Sequence, residues 1–313
     1  AMQKVGALDL KEPFKGLFTQ GMVTHETYRL GDGANGSWVS PAEIRIEDTD
    51  GKRRATMLDT GEEVSIGSIE KMSKSKRNTV DPTDIIDTYG ADTARWFMLS
   101  DSPPERDVSW TEDGVQGAWR FVQRVWRLIG EISDTCEPRN GAAPDVSGVA
   151  LELRRASHKT LDAVSNDLES LGFNRAVARL YELVNTISKA ISHGIDDDTT
   201  EYAVREAADY LVQMMAPMMP HLAEECWSAL GHDNLISETA WPVADPALLA
   251  EDSVTYPIQI NGKRRGELEI AKEASKEEVE AATLALDFVR KALNGNHPKK
   301  LIVVPQRIVN VVV

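Results

Sequence analysis

Cysteine is scarce in this sequence, and its two copies, Cys136 and Cys226, lie far apart. Two isolated cysteines give neither a disulfide framework nor the paired spacing of a zinc knuckle, and they fit a reducing compartment. The six histidines include no i, i+4 pair, the spacing that places two metal ligands on one helix face. We therefore expect no metal site within the chain.

Long apolar runs are also missing, and basic residues are fewer than acidic ones. No hydrophobic stretch approaches the roughly 20 residues of a membrane-spanning helix, and no secretory signal is visible, so we expect a cytoplasmic protein without a membrane partner. The 35 Lys and Arg residues face 50 Asp and Glu residues, a formal net charge of −15. This balance argues mildly against a nucleic-acid partner, although an acidic protein can still carry a local basic surface.

One short run stands out against this acidic background. Residues 71–77, with the sequence KMSKSKR, carry four positive charges and no acid. A helix start follows, because Asp81 suits an N-cap and Pro82 suits the first helical position. Lysine ammonium groups, serine hydroxyls and a helix N-terminus can together hold phosphate. On charge alone, a solvated basic loop or a localisation signal is the simpler interpretation.

The length of 313 residues suits two or three domains. In the first domain, residues 17–23 are strand-like, and Asp50-Gly51 is a hairpin signal. Helices are predicted at 82–89 and 91–100. Pro103-Pro104 then breaks the chain, and residues 232–252 form a linker without periodicity. We therefore predict domains at 1–107, 108–250 (with the linker) and 251–313.

The second domain is predicted to be a helical bundle, because apolar residues recur at spacings of three and four from Thr111 onward. On its first helix, we expect the core face to be Val115, Trp119, Val122, Trp126 and Ile129. Further helices are expected at about 148–170 and 173–192, from near Thr200, and up to Gly231. Four methionines are predicted to fill the core: Met214, Met215, Met218 and Met219.

The third domain is predicted to be a small β-β-α-β unit. Apolar residues alternate from Val254 to Ile260, and Asn261-Gly262 is a strong hairpin turn signal. Ser275 and Glu278 form a capping box for a helix at about 276–293. The chain then ends in two strand-like runs, 301–304 and 308–312.

Several segments resemble one enzyme family. The string KMSKS at 71–75 is similar to the signature loop of class I aminoacyl-tRNA synthetases, and residues 81–82 and 89–95 also resemble that class. Residues resembling the bacterial type of leucyl-tRNA synthetase occur at 19–28, 114–121 and 124–127, and in the tail at 260–266 and 304–312. The valine- and isoleucine-specific relatives share the lysine loop but not this tail.

The chain also departs from this family at two points. Arg77 stands where the class usually has glycine, and the second class signature, His-Ile-Gly-His, is absent. The resemblance therefore implies a C-terminal fragment that is inactive alone. It implies a multidomain fold, mainly α with α/β parts, made of a piece of the class I catalytic domain, an anticodon-binding-type helical bundle and a small C-terminal domain.

The resemblance further implies a function, which is ATP-dependent joining of leucine to its tRNA. Its partners would be leucine, a leucine-specific tRNA and ATP with Mg²⁺ in the full-length enzyme, with no cofactor bound to the fragment and a monomeric state. The catalytic candidates are Lys71 and Lys74. The ATP-binding candidates are Lys71, Met72, Ser73, Lys74 and Ser75. The tRNA-binding candidates are Arg120, Arg124, Arg127, Lys263, Arg264 and Arg265.

Two alternatives to this function stay open. One is a synthetase-derived RNA-binding module without catalysis. The other is a fragment of a valine- or isoleucine-specific relative, which the tail opposes.

Overall fold

The computed structural model describes residues 2–10, 12, 14–31, 36–139, 141–250, 253–272 and 274–313. The chain divides into two compact units, Ala1–Ala244 and Asp245–Val313. Residues 251 and 252, where we predict the third domain to begin, lie outside the described residues, and the three-domain division stays a prediction. Among the described residues, no helix is both long enough and apolar enough to cross a membrane.

A β-sheet opens the first unit, with strand order β2-β1-β5-β4-β3 and a short β6 parallel to β1. Its strands are β1 (Val23–Leu30), β2 (Ser37–Val39), β3 (Ile44–Thr49), β4 (Lys52–Met57), β5 (Glu63–Lys71) and β6 (Val108–Ser109). Asp50 and Gly51 have φ of 55° and 75°, which confirms the turn predicted between β3 and β4. The strand predicted at 17–23 is wrong. β1 begins only at Val23, and Leu17 is 95% exposed because no neighbouring strand covers it.

Two short helices connect this sheet to a helical bundle. They are α1 (Pro82–Tyr89) and α2 (Ala91–Ser100), as predicted. The bundle consists of α3 (Glu112–Thr135), α4 (Gly148–Glu169), α5 (Phe173–Ser192), α6 (Asp198–Met215) and α7 (Pro220–Ala229). Helix α2 belongs to the same core, since Trp96 is fully buried and stacks on Phe121 with ring centroids 4.9 Å apart. The four methionines predicted as core are at most 1% exposed.

The core face predicted for α3 is partly wrong. Trp119 and Trp126 are 40% and 44% exposed. The neighbouring row, which has the same three- and four-residue spacing, faces the bundle because its Phe121 lies under Trp96 of α2. The buried residues of α3 are Val115, Ala118, Phe121, Val125, Leu128, Ile129 and Ile132.

The second unit is a four-stranded sheet with strand order β8-β7-β10-β9, in which β7 and β10 run parallel. Its elements are α8 (Pro246–Leu249), β7 (Ser253–Ile260), β8 (Lys263–Ala271), α9 (Lys276–Ala285), α10 (Asp287–Leu293), β9 (Lys300–Val304) and β10 (Ile308–Val312). The capping box of Ser275 and Glu278 is present. The single helix predicted at 276–293 is instead two helices, because Leu286 takes an extended conformation (ψ 134°) between them.

Candidate nucleotide site and basic surfaces

The basic loop begins where β5 ends, at Lys71, and contains one turn of 3-10 helix, Lys74–Lys76. Ser73 caps this turn, and its Oγ accepts a hydrogen bond from the backbone N–H of Lys76 at 3.3 Å. Arg77 ends the turn in the left-handed region, with φ 53°. The loop is therefore an ordered turn with a defined cap at each end.

The four cations of the loop fall into two pairs with different surroundings. The Lys76 ammonium pairs with Glu70, and this hydrogen bond lowers the pKa of the Glu70 carboxyl. The Arg77 guanidinium lies 2.6 Å from Glu43 Oε1. Lys71 and Lys74 have neither an ion pair nor a side-chain hydrogen bond with any residue that the structure describes. Among the described residues, these two ammonium groups are therefore the cations of the loop that no carboxylate neutralises.

An open cleft of about 690 Å³ lies beside the loop. Lys74 lines it together with His25 and Tyr28 of β1, whereas Lys71 does not. The start of α1 also lines the cleft, but Asp81 accepts the Thr83 N–H at 2.9 Å and so uses one of the helix's free donors. Positive charge for an anion in this cleft therefore comes mainly from Lys74.

Asn78 is a residue whose role the sequence analysis did not identify. It is 0% exposed. Its Oδ1 accepts the backbone N–H of Ser73 at 2.9 Å, and its Nδ2 lies 3.3 Å from the carbonyl oxygens of His25 and Glu70 and 3.4 Å from that of Lys71. In the sequence, Asn78 is only one more polar residue after a basic run, and nothing indicates that it is buried.

The candidate residues on α3 are not equivalent. Arg120 and Arg127 are exposed, whereas Arg124 is half-buried and its Nη2 donates to Ser188 Oγ at 3.4 Å. The exposed rings of Trp119 and Trp126 lie on the same helix. Guanidinium groups beside exposed aromatic rings are a common arrangement in surfaces that bind nucleic acid.

The hairpin between β7 and β8 carries the second basic cluster. Asn261 and Gly262 have φ of 49° and 78°, as a tight hairpin turn requires. All three basic residues after this turn are exposed, and Arg264 pairs with Glu267. The register pairs Gln259 with Arg264 and Ile258 with Gly266, so Arg265 is the extra residue of a β-bulge. Neither Lys263 nor Arg265 has an ion-pair partner among the described residues.

The cleft offers no ready set of protein ligands for a divalent cation. Among the residues that the structure describes, no group of three or more His, Cys, Asp or Glu side chains could hold a metal ion. The cleft is lined by one lysine, Lys74, and by three carboxylates, Asp81, Asp84 and Glu112, which do not form such a group.

Comparison with known proteins identifies the class. The family described as "tRNA synthetases class I (I, L, M and V)" matches residues 64–111, and the "Anticodon-binding domain of tRNA ligase" matches residues 151–281. The lysine loop and most of the bundle fall within these matches. The chain therefore contains a region of the class I aminoacyl-tRNA synthetase type and a region of the anticodon-binding type.

Within this class, the chain is homologous over its whole length to leucine–tRNA ligases. It is 59% identical to the enzyme of Mesorhizobium japonicum and 57% identical to that of Sinorhizobium fredii, with all of this chain covered in both cases. It spans about 36% of the length of these relatives. The LeuRS–tRNA–LeuAMS complex of Agrobacterium radiobacter K84 matches 99% of this chain and 35% of that one, with a TM-score of 0.68 and 24% identity. The two proteins therefore share a fold.

Proposed function

We propose that this chain is the C-terminal third of a leucine–tRNA ligase. It supplies the phosphate-side lysines of the site that activates leucine, together with surfaces that bind tRNA. The observation that carries the proposal is a pair of lysines, Lys71 and Lys74, that have no side-chain partner in the described part of the chain and lie on an ordered loop beside the 690 Å³ cleft. An ordered loop with free positive charge suits a ligand whose negative charge grows during the reaction.

In the first step, the leucine carboxylate attacks the α-phosphorus of ATP, and pyrophosphate leaves. Negative charge develops on the leaving pyrophosphate, so cations held against it stabilise the transition state more than the ground state. Lys74 is the principal contact because it lines the cleft, and Lys71 assists from the end of β5. Ser73 and Ser75, whose hydroxyls lie 3.3 Å apart, maintain the shape of the turn. Met72 connects the end of β5 to the cap residue Ser73. Mg²⁺ accompanies ATP as part of the substrate.

In the second step, the terminal ribose hydroxyl of the tRNA attacks the carbonyl of leucyl-adenylate and AMP leaves, and the tRNA must be held while this happens. The exposed face of α3, with Arg120 and Arg127, and the β7–β8 hairpin, with Lys263 and Arg265, present cations that have no ion-pair partner among the described residues. Arg124, Arg127 and Arg264 already have hydrogen-bond or ion-pair partners, so we assign them a smaller share. The enzyme acts as a cytoplasmic monomer on leucine, ATP and a leucine-specific tRNA.

The test is leucine-dependent ATP–pyrophosphate exchange, together with leucylation of tRNA, in the full-length protein that contains this chain. Both activities are expected with leucine and not with valine or isoleucine. The 313-residue chain alone should catalyse neither. Exchange by the chain alone, or preference for valine or isoleucine, would contradict the proposal. Binding of tRNA by a full-length protein that catalyses no exchange would favour the RNA-binding module instead.

A further inference from the structure

The buried amide of Asn78 bridges three segments of the first unit. Its oxygen faces the one N–H group, of Ser73, and its nitrogen faces the three carbonyl groups, of His25, Glu70 and Lys71. The opposite amide orientation would set an oxygen against three carbonyl oxygens, so the network itself fixes the assignment. One side chain therefore ties β1, the end of β5 and the basic loop together.

We propose that Asn78 is a positioning residue for leucine activation, acting through Lys71 and Lys74. This inference rests on the proposed function. The Asn78 amide forms hydrogen bonds with the carbonyl of Lys71 and the N–H of Ser73. These two residues flank Met72, so Asn78 holds the backbone on both sides of Met72. Ser73 in turn caps the 3-10 turn that begins at Lys74. Both lysines are thereby attached to backbone that the Asn78 amide holds.

This arrangement matters because no described residue holds the ammonium groups of the two lysines. A lysine ammonium lies at the end of a flexible four-carbon stem, and neither Lys71 nor Lys74 has a side-chain partner among the described residues. Electrostatic stabilisation depends on charges that are in place before the reaction. The backbone is therefore what the protein can fix. Pairing with β1 holds Lys71, and the Met72 N–H donates to Val23 O at 3.1 Å. Asn78 is the buried side chain that joins this strand end to the turn beginning at Ser73.

The first test measures hydrogen exchange in the 313-residue chain. Asn78→Ala should increase exchange of the Ser73 amide at least tenfold, because that N–H loses its acceptor. Asn78→Asp keeps the side-chain volume and the acceptor but loses the donors, so it should loosen residues 70–71 without leaving a cavity. The matched control is Thr93→Val, which removes a buried hydroxyl that donates to Tyr89 O at 2.7 Å and should leave the loop unchanged. Unchanged loop exchange in both Asn78 variants would overturn the proposal.

The second test is a double-mutant cycle in the full-length enzyme. Asn78→Ala alone should lower kcat for pyrophosphate exchange roughly 10- to 100-fold, since small misplacements of a catalytic group are costly. In a Lys74→Ala background the same change should cost little, because residues that act as a unit are not additive. Fully additive losses would show that Asn78 does not act through Lys74. If the unsubstituted full-length protein catalyses no exchange, the proposed function itself fails, while the hydrogen-exchange result is unaffected.

Discussion

The two basic segments of the molecule, 71–77 and 263–265, both concentrate positive charge but are held in different ways. The first lies between β5 and α1, with a buried asparagine beneath it and two of its four cations paired with acids. The second follows the tight turn between β7 and β8, where the sheet register, a β-bulge and an exposed hydrogen bond from the Gly262 N–H to Asn310 Oδ1 (3.1 Å) hold the backbone. One backbone is held by a fully buried side chain, and the other by strand pairing and exposed contacts at the turn.

This difference matches what each segment is proposed to bind. A transition state has one geometry, so its cations gain from being fixed. The phosphates of a folded RNA form a broad negative surface, on which exposed cations contribute through charge and counterion release. Basic side chains therefore suit transition-state stabilisation in the first segment and tRNA binding in the second. Each role can be tested by its own substitution.

The largest effect is expected from the unpaired lysine of the cleft. In the full-length enzyme, Lys74→Ala should lower kcat for pyrophosphate exchange by about 10²–10³, comparable to losing one oxyanion donor. Leucine binding should be nearly unchanged, because the contact forms with charge that develops in the transition state. Lys76→Ala is the matched control and should have a much smaller effect, since its ammonium already pairs with Glu70. If kcat for exchange falls equally in Lys74→Ala and Lys76→Ala, pairing with an acid does not decide which cation contributes to catalysis.

A smaller and different effect is expected from the hairpin. Changing Lys263, Arg264 and Arg265 together to alanine should weaken tRNA charging but spare pyrophosphate exchange. The log–log salt slope of tRNA binding should flatten by about 0.7 to 0.9 for each phosphate that the variant no longer neutralises. Removing residues 251–313 should give the same split between the two activities.

The control for this variant is a second triple change with the same change in charge. Lys272, Lys276 and Lys291 are exposed in the same unit, and their replacement by alanine should affect charging less. If charging and exchange fall together, the hairpin supports the fold. If neither falls, the hairpin is not part of the tRNA surface.

Much of this organisation could be predicted from sequence because it is encoded locally. Turn residues such as Asn261-Gly262, the Ser275 capping box and the helical periodicity each act over a few residues, and the structure confirms them. The features that sequence did not predict depend on long-range information. Which row of α3 faces the core depends on Trp96 of another helix, and the burial of Asn78 depends on β1, some fifty residues earlier. Local patterns do not contain such contacts.

A moderate effect is expected at Arg77, a residue other than glycine that takes a left-handed conformation. A left-handed conformation costs a non-glycine residue about 1–2 kcal/mol, and the exposed pair with Glu43 returns at most about 1 kcal/mol. Arg77→Gly should therefore leave the free energy of unfolding of the 313-residue chain nearly unchanged, while loop exchange increases. Arg77→Ala loses the pair but keeps the strain, so it should unfold more easily than Arg77→Gly by about 1 kcal/mol. Denaturant unfolding measures the free energy of unfolding of both variants. Equal values would contradict the claim that the backbone is strained at this position.

The smallest effect concerns the titration of Glu70, which tests whether Lys76 is truly paired. The hydrogen bond from Lys76 lowers the pKa of Glu70 from its usual 4.5. A carboxyl with a lowered pKa in the folded state contributes stability above the unfolded value, and this contribution is lost as pH falls through the folded pKa. Carboxyl carbon NMR of the 313-residue chain should give a Glu70 midpoint below 4.5 that rises in Lys76→Ala, with no such rise in Lys74→Ala. A midpoint that moves in neither variant would mean that Lys76 is as free as Lys74, and the loop would then hold three cations available to phosphate instead of two.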